Sequence, residues 1–461
     1  MNEKDNYEIF RLTIQTLSPV HIGSGEKVNG RGEYFATSGN RVIFPNYQEL
    51  MKIIEAKAGG VKKYIEYILD TGVDANTYQK LEEWGVTINE LPTERELTLN
   101  SQTNIINKND DLFLHIKQGS NPLAKDKIYI PGSSLKGAIR TALIYDYLKN
   151  NSSLHLTVET KLQNALNDRN PKREVVRVWE SIEKSESIEK PEIISEKFAN
   201  ALRLSDSQEI IDKHIVVEQV IPRLFGQVDT ESFDYLLECV APNTDINTQL
   251  SIYKPQLPNA NSITLQWHGI KNLFKTINTF SLDHIAFEKI QISTSKLDEV
   301  IKKNVLQQLT DWQKSIETSE NKYAILRLGK GKTKLFQTIL LALNEPLRNQ
   351  LLALFKKDDA AILPQSRVLT AKDNLMLGWV KLSKEETPLT DNQIELLIEK
   401  ETELDAYFVD AKNAKFVLNG KLITVHMINE GKKILPADTP IKVTVWQLKK
   451  DGDINHVKLP Y

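Results

Sequence analysis

The chain is punctuated twice by one pattern: a short apolar run, a turn rich in glycine, and a helical run carrying basic residues. A strand that gives way at once to a helix demands sheet packed against helix, so these junctions constrain the fold more than any other feature. The first is Ile128-Tyr-Ile-Pro-Gly-Ser-Ser-Leu-Lys-Gly-Ala-Ile-Arg-Thr-Ala-Leu143. Tyr129 and Ile130 favour a strand and Pro131-Gly132 ends it. Ser133 or Ser134 is placed to cap a helix whose apolar positions Leu135, Ile139, Ala142 and Leu143 repeat at helical spacing. A helix start offers free N–H groups and a positive dipole end, which with two hydroxyls favour a phosphate. Lys136 and Arg140 share one helical face beside it, and Gly137 admits a close approach. The same residues also describe an ordinary capped helix with two solvated cations.

The second junction joins Tyr323-Ala-Ile-Leu-Arg-Leu328 and Gly329-Lys-Gly-Lys-Thr-Lys334 to a helical run from Leu335 to Leu343. Lys322, Arg327, Lys330, Lys332 and Lys334 crowd it with no acid among them. A nucleotide-binding P-loop needs a glycine five residues ahead of Gly331, and Leu326 stands there; this disfavours a stand-alone nucleotide- or sugar-using enzyme. A phosphate backbone suits the loop, and a solvated lysine loop is the alternative.

Elsewhere the pattern alternates between strands and helices. Ile9 to Thr16 has strand alternation with one apolar face, followed by a loop from Leu17 to Arg31 in which His21, Gly23, Ser24 and Gly25 precede Lys27. Such a loop is able to fold its N–H groups around a phosphate, while His21 alone at a strand end is a packing or capping residue before it is an acid or base. Val42 to Asn46, Leu97 to Leu99, Leu112 to Ile116, Ala201 to Ser207 and His214 to Ile221 read as strands. About 47–95 and about 150–200 read as helical insertions. In the second, Glu180, Glu183, Glu186, Glu189 and Glu192 recur every third residue, as a solvated or protein-docking face. The second half offers strands at Leu237 to Thr244, Leu250 to Tyr253, Ser262 to Trp267 and Met376 to Leu382, and a helix at Leu297 to Ile316 with Trp312 in the core. An acidic helix is expected from Asp391 to Glu403. Beyond it Phe416 to Val425 forms a hairpin on Asn419-Gly420, and Ile441 to Leu448 a further strand, together an added module.

With 461 residues, 40% hydrophobic and 26% charged, the chain has the balance of a globular protein of two or three domains. Its polar start and the absence of a long uncharged apolar run lead us to expect a cytoplasmic protein without membrane contact. The lone Cys239 rules out an internal disulfide and any cysteine-based zinc knuckle, and no metal or cofactor is expected. A net charge of −2 is unusual for a nucleic-acid binder, so any such role must rest on locally clustered cations.

Pro131-Gly-Ser-Ser-Leu-Lys-Gly-Ala-Ile-Arg140 and Leu17-Ser-Pro-Val-His-Ile-Gly-Ser-Gly25 together resemble the RAMP superfamily of CRISPR-associated RNA-binding proteins. Arg203-Leu-Ser-Asp-Ser207, the glycine loop before Leu335 and Leu377-Gly-Trp-Val-Lys-Leu382 add to the likeness, which is nearest to the subunit that caps the crRNA 3′ end in type III-A (Csm) effector complexes. The resemblance implies an α+β fold of two ferredoxin-like (RRM-like) RAMP domains with helical insertions, divided here at 1–233 and 234–461. It also implies a non-catalytic antiviral subunit that holds crRNA, abuts the RAMP backbone subunit and other Csm complex subunits, and supports crRNA maturation by host nucleases. The RNA-binding residues would be His21, Gly23, Ser24, Gly25, Ser133, Ser134, Lys136, Arg140, Arg327, Gly329, Lys330, Gly331, Lys332 and Lys334. The other reading is an endoribonuclease or target-cleaving backbone subunit. Related backbone subunits cut with an aspartate between the two motifs, where residues 30–39 of this chain offer Glu33 and no aspartate. The sheet also lacks the paired aromatics of an RRM, which favours backbone binding by loops over base stacking.

Overall fold

The structure is a computed structural model. It describes residues 7–30, 32–37, 40–57, 59–70, 77–101, 111–118, 127–184, 202–226, 234–253, 269–355, 366–385, and the strands between 403 and 458. Two compact units make up the chain, Asn6–Lys384 and Glu385–Tyr461, the latter with Met1–Asp5.

The larger unit begins with β1 (Tyr7–Thr16), β2 (Gly23–Asn29), β3 (Phe35–Thr37) and β4 (Arg41–Pro45), then α1 (Tyr47–Lys57), α2 (Val61–Asp70) and α3 (Thr77–Glu83). It continues through β5 (Thr93–Asn100), β6 (Asp111–His115), β7 (Lys117–Gln118), β8 (Lys127–Ile128), α4 (Gly132–Asn150), α5 (Ser152–Leu166) and α6 (Pro171–Lys184). Next come β9 (Leu202–Leu204), β10 (Ile215–Leu224), β11 (Tyr235–Val240), β12 (Asp245–Tyr253), α7 (Ile270–Ser293) and α8 (Glu299–Thr318). It closes with β13 (Tyr323–Arg327), α9 (Lys334–Gln337), α10 (Glu345–Leu354), β14 (Ser366–Thr370) and β15 (Trp379–Lys384).

Two sheets organise this unit in the α+β arrangement of paired ferredoxin-like domains with helical insertions. One has the order β13-β15-β1-β12-β9; the other runs β2-β6-β11-β10-β5-β4-β3, with β14 paired to β10. The alternation read at the start of the chain is visible in β1: Phe10, Leu12, Ile14 and Thr16 are buried, while Arg11, Thr13 and Gln15 lie on the other, partly exposed face. Burying each of the three apolar side chains contributes about 1.5–3 kcal/mol and fixes the register, since a one-residue slip would expose all three. β1 pairs with β12 on one side and β15 on the other, and β10 pairs with both β5 and β14. Each sheet therefore takes strands from both sides of residue 233, and that line in sequence separates neither sheet.

The first insertion, α1 to α3, closes its own core of Phe35, Ile43, Leu50, Ile54, Tyr64, Tyr78 and Leu81. The second is α5 and α6. Further along, α7 was not read from the sequence: its buried residues, from Leu273 and Phe274 through His284 to Glu288 and Ile292, lie on several faces, which blurs helical periodicity. α8 covers the expected helix, and Trp312 is core, stacked on Trp379 at 4.6 Å. The run expected as one helix from Leu335 to Leu343 is instead a single α-turn, α9, and a short 3-10 turn at Leu340–Ala342. Much of the expected glycine loop after β1 is strand β2, paired with β6 through a bulge between Gly23 and Lys27. A strand at 262–267, most of the Glu180 to Glu192 stripe and the helix at 391–403 fall outside the described residues.

The smaller unit holds β16 (Glu403–Asp410), β17 (Asn413–Leu418), β18 (Lys421–Ile428), β19 (Pro440–Leu448) and β20 (Ile454–Lys458). They form a closed barrel in the order β16-β17-β18-β20-β19. β17 and β18 are the expected hairpin, with Leu418 opposite Lys421.

Candidate nucleic-acid interface

Three distant segments of backbone are laced together at the ends of β1, β13 and β15. Lys330 N–H donates to the His21 carbonyl at 2.7 Å, Gly378 N–H to Pro19 at 2.9 Å and Leu328 N–H to Gly378 at 2.6 Å. Two glycines are required here. A Cβ on Gly329 (φ +60°) would lie 2.0 Å from the His21 oxygen, and one on Gly378 (φ +86°) 2.1 Å from the Leu328 oxygen. The His-Ile-Gly segment, the lysine-glycine loop and the Leu-Gly-Trp strand thus fold as one knot although about 360 residues of sequence separate its ends.

The knot walls a cleft of about 710 Å³, lined by His21, Gly23 and Gly25 on one side and Gly329, Lys330, Gly331, Lys332 and Thr333 on the other, with Glu26, Phe113 and Gln337. Gln337 also lines a smaller groove with Gly137, Arg140, Thr141 and residues 338–339, so the two basic junctions open onto adjoining surfaces. Beneath the cleft lies a buried polar layer, in which His115 Nε2 and one terminal nitrogen of Arg95 have no hydrogen-bond partner. The His21 imidazole Nδ1 lies 2.8 Å from the Glu238 main-chain oxygen. The buried Glu238 carboxylate accepts from His115 N–H at 2.8 Å and pairs with Arg95. Burial pushes the His21 pKa down, so the ring is neutral near pH 7 and directs Nε2 toward Gly23, 3.1 Å from where a Cβ would be. It is an acceptor for a hydroxyl there, not a cation for phosphate.

Arg327 is placed unlike the other cations. It is 3% exposed, its Nε donates to the Leu377 oxygen at 2.8 Å, and its guanidinium packs over Phe336 and Trp379. Its two terminal nitrogens have no hydrogen-bond partner, and no ion pair to it occurs among the described residues. Burial lowers its pKa to about 10, which still leaves it charged. An unpaired guanidinium under the glycine loop, 3.1 Å from a Cβ position at Gly331, raises the potential of the cleft without touching its contents. Burial, and then the neighbouring Arg327, also lowers the pKa of Lys332.

At the first junction the structure changes the reading. The N-cap of α4 is Pro131, with no side-chain cap; Ser133 and Ser134 sit within the first turn. Gly132 N–H donates to the Asp206 carboxylate at 2.8 Å, and Ile130 N–H to Ser207 Oγ at 2.9 Å. A carboxylate from within the chain therefore holds the helix start that a phosphate was expected to take. Gly132 is required because a Cβ would lie 2.3 Å from the Leu204 oxygen. The cationic surface lies further along α4: burial lowers the Lys136 pKa, and Arg140 and Arg203 lower it further, the mark of like charges gathered at one place.

Of the remaining expected residues, Ser24 is turned to its own bulge, donating to Leu114 O and accepting from Glu26 N–H, and Lys334 is exposed at the start of α9. Glu33 accepts from Asn29 N–H at 2.6 Å, a turn contact. Sequence reasoning named Arg203 only within a family motif, without a binding role, and missed Gln337 and an aromatic pair: Phe113, 37% exposed in the cleft, meets Tyr235 edge-on at 5.6 Å, and Lys330 Nζ lies 5.6 Å above the Tyr235 ring. Parallel pairing of β6 with β11 creates this pair, so no local signal announces it. Among the described residues no cluster of three His, Cys, Asp or Glu is placed to hold a metal, and no helix is long and apolar enough to cross a membrane.

Relatives share this architecture. The chain is 29% identical to the Streptococcus thermophilus protein named CRISPR system Cms protein Csm5, over 47% of this chain and 56% of that one. It is 23% identical to the Mycobacterium tuberculosis protein of the same name, over 53% and 66%. The matches thus span between about half and two thirds of these relatives. A chain from the cryo-EM structure of a type III-A Csm–crRNA–target RNA ternary complex superposes with a TM-score of 0.57 at 20% identity, covering 82% of this chain and 100% of that one. The crystal structure of T. onnurineus Csm5 gives 0.53 at 20% identity over 80% and 99%. The model of the RAMP superfamily matches residues 13–334, which carry most of both sheets and both basic junctions, and the chain belongs to the RAMP superfamily.

Proposed function

We propose that the chain is a non-catalytic RNA-holding subunit of a type III-A (Csm) CRISPR effector complex, which grips the 3′ region of the crRNA and closes the end of the backbone filament. On this reading it also supports trimming of the crRNA end by host nucleases. The observation that carries the proposal is the cleft itself: two glycine-bearing segments from opposite ends of the unit meet over a buried, unpaired Arg327, and Lys330 and Lys332 stand at its wall. Cations at the wall suit a sugar-phosphate chain, and the neutral His21 Nε2 suits a ribose hydroxyl. Phe113 adds an apolar platform for one base. The likeness to relatives named Csm5, and to a chain from a complex that contains crRNA, supports the same assignment.

A nuclease would place an acid and a base about a scissile phosphate. Here His21 faces the cleft with Glu26, while Glu33 is committed to a turn. The test is purification of the tagged protein from its native host, with mass spectrometry and RNA sequencing of what accompanies it. Sister RAMP subunits and short RNAs bearing CRISPR repeat sequence are expected. A protein recovered without RNA, or one that cleaves labelled RNA and loses that activity on His21→Ala, would overturn the proposal.

A further inference from the structure

One buried imidazole has no part in the cleft as described so far: His284 on α7, 1% exposed. Its Nδ1 lies 2.7 Å from the Phe280 main-chain oxygen, and its Nε2 lies 2.9 Å from that of Leu335 in α9. A ring carbon needs about 3.3 Å from an oxygen, so turning the ring over relieves neither contact. Carbonyl oxygens only accept, and a neutral imidazole carries one N–H. A neutral His284 therefore holds one carbonyl and sets a lone pair against the other. Only the imidazolium donates to both.

The two carbonyls are not equivalent. That of Phe280 stands four residues before His284 in a long helix, where the main-chain ladder already serves it. That of Leu335 belongs to a single helical turn, whose N-cap Thr333 makes no side-chain cap and whose last carbonyls lack helical donors. Thr333 and Gln337, at the two ends of this turn, line the cleft. The turn is placed by Phe336, whose ring lies 4.3 Å from the imidazole and 5.4 Å from Trp379, and by the contact from His284 to Leu335.

Charge reaches the ring from every side. On α7 itself, Glu288 is clasped by Arg367 of β14 at 2.6 and 2.9 Å, and Asp283 accepts from Lys149 and Tyr145 of α4. On the cleft side, Arg327 of β13 packs on Phe336, as His284 does, and Lys332 lies in the loop above it. Burial lowers the His284 pKa, against the pull of the two carbonyls and of Glu288 and Asp283, so the ring is neutral near pH 7. Arg327 and Lys332 also oppose a further positive charge there, and a polyanion in the cleft offsets them.

We propose that His284 is a proton-dependent latch on the cleft wall: RNA in the cleft draws a proton onto the ring, and the imidazolium then ties α9 to α7 through Leu335. The proposal rests on the cleft reading and adds a regulator to it. His284 is a positioning residue, acting through the α9 turn without touching RNA. By linkage, affinity for RNA rises as pH falls through the pKa of the RNA-bound ring and levels off below that of the free ring. Each pH unit between the two values is a tenfold gain in affinity.

The test is calorimetric titration of the full-length protein with single-stranded RNA, in two buffers of different ionisation enthalpy, at about pH 6 and about pH 8. Proton uptake is expected at the lower pH and not at the higher. No uptake at about pH 6 overturns the proposal without any variant. His21 has its own pKa lowered by burial and lines the cleft, so the variant His284→Gln, checked for folding by thermal melting, assigns the proton. Glutamine keeps a donor for Leu335 but does not titrate, and it should remove most of the uptake and flatten the rise in affinity toward low pH. A folded variant with the uptake and pH profile of the unaltered protein overturns the proposal. Lys330→Ala with Lys332→Ala separates the two readings: affinity unchanged at both pH values sinks the cleft reading itself, whereas affinity lowered at both with no proton uptake in the unaltered protein sinks the latch alone.

Discussion

Alanine at Gly329 sets a methyl carbon against a main-chain oxygen that has nowhere to go. The added Cβ would lie 2.0 Å from the His21 oxygen and 2.9 Å from its carbon. At φ +60° the backbone also lies where a non-glycine residue costs about 1–2 kcal/mol. Since the obstacle is backbone, the loop must lift from residue 21 and surrender the 2.7 Å bond from Lys330 N–H, worth about 1 kcal/mol more. Gly329→Ala should therefore destabilise the larger unit by about 2–3 kcal/mol, the sum of those two costs. Urea unfolding followed by tryptophan fluorescence reads this directly, because Trp312 and Trp379 are stacked in the core below the loop. Affinity for RNA should fall with it, as one wall of the cleft moves. Gly137→Ala is the control: the added Cβ meets nothing within 4 Å, and removing a mid-helix glycine should stabilise by about 0.5–1 kcal/mol. If Gly329→Ala costs less than about 0.5 kcal/mol and leaves RNA binding intact, the interlocked-loop argument is wrong.

Two more perturbations separate stability from function. Arg327→Met removes a buried unpaired charge along with one hydrogen bond and two ring contacts, so stability should change by no more than about 1 kcal/mol while RNA affinity drops; equal affinity at matched stability would contradict a role for its field. His115 has its pKa lowered to about 4 by burial, against 6.5 when unfolded, so its contribution is complete above about pH 6.5 and is lost as pH falls toward 4. The stability difference between the unaltered protein and His115→Gln should shift by about 3 kcal/mol between pH 7 and pH 4, and a difference that does not vary with pH would refute the assignment. Taking the difference removes the opposing effect of Glu218, which burial raises to about 7.

Local patterns in the sequence were reliable where one face of an element is buried. β1 and α8 have that character, and both were legible. α7 was not, because a helix packed on several sides carries no polar stripe. The cleft was legible only in parts: the His21-Ile-Gly and Gly329-Lys-Gly segments could be marked as phosphate loops, but their meeting is a tertiary event. The same holds for Arg203 beside Lys136, and for Phe113 beside Tyr235. Ser133 and Ser134 misled because cap residues were judged without their surroundings; Asp206, in a strand-end segment 74 residues away, took the helix start instead. Of the barrel, the hairpin and the strand at Ile441 to Leu448 were visible, but β16 and β20 were not, and its closure depends on parallel pairing of β18 with β20, which alternation cannot disclose.

The central claim is that Lys330 and Lys332 hold an RNA backbone in the cleft, and the salt dependence of binding tests it most directly. Each phosphate contact on a single strand contributes about 0.7 to the slope of log affinity against log salt. For Lys330→Ala with Lys332→Ala the slope should therefore flatten by about 1.4, with weaker binding to every sequence tried. A double variant that keeps both the slope and the affinity of the unaltered protein would contradict the account.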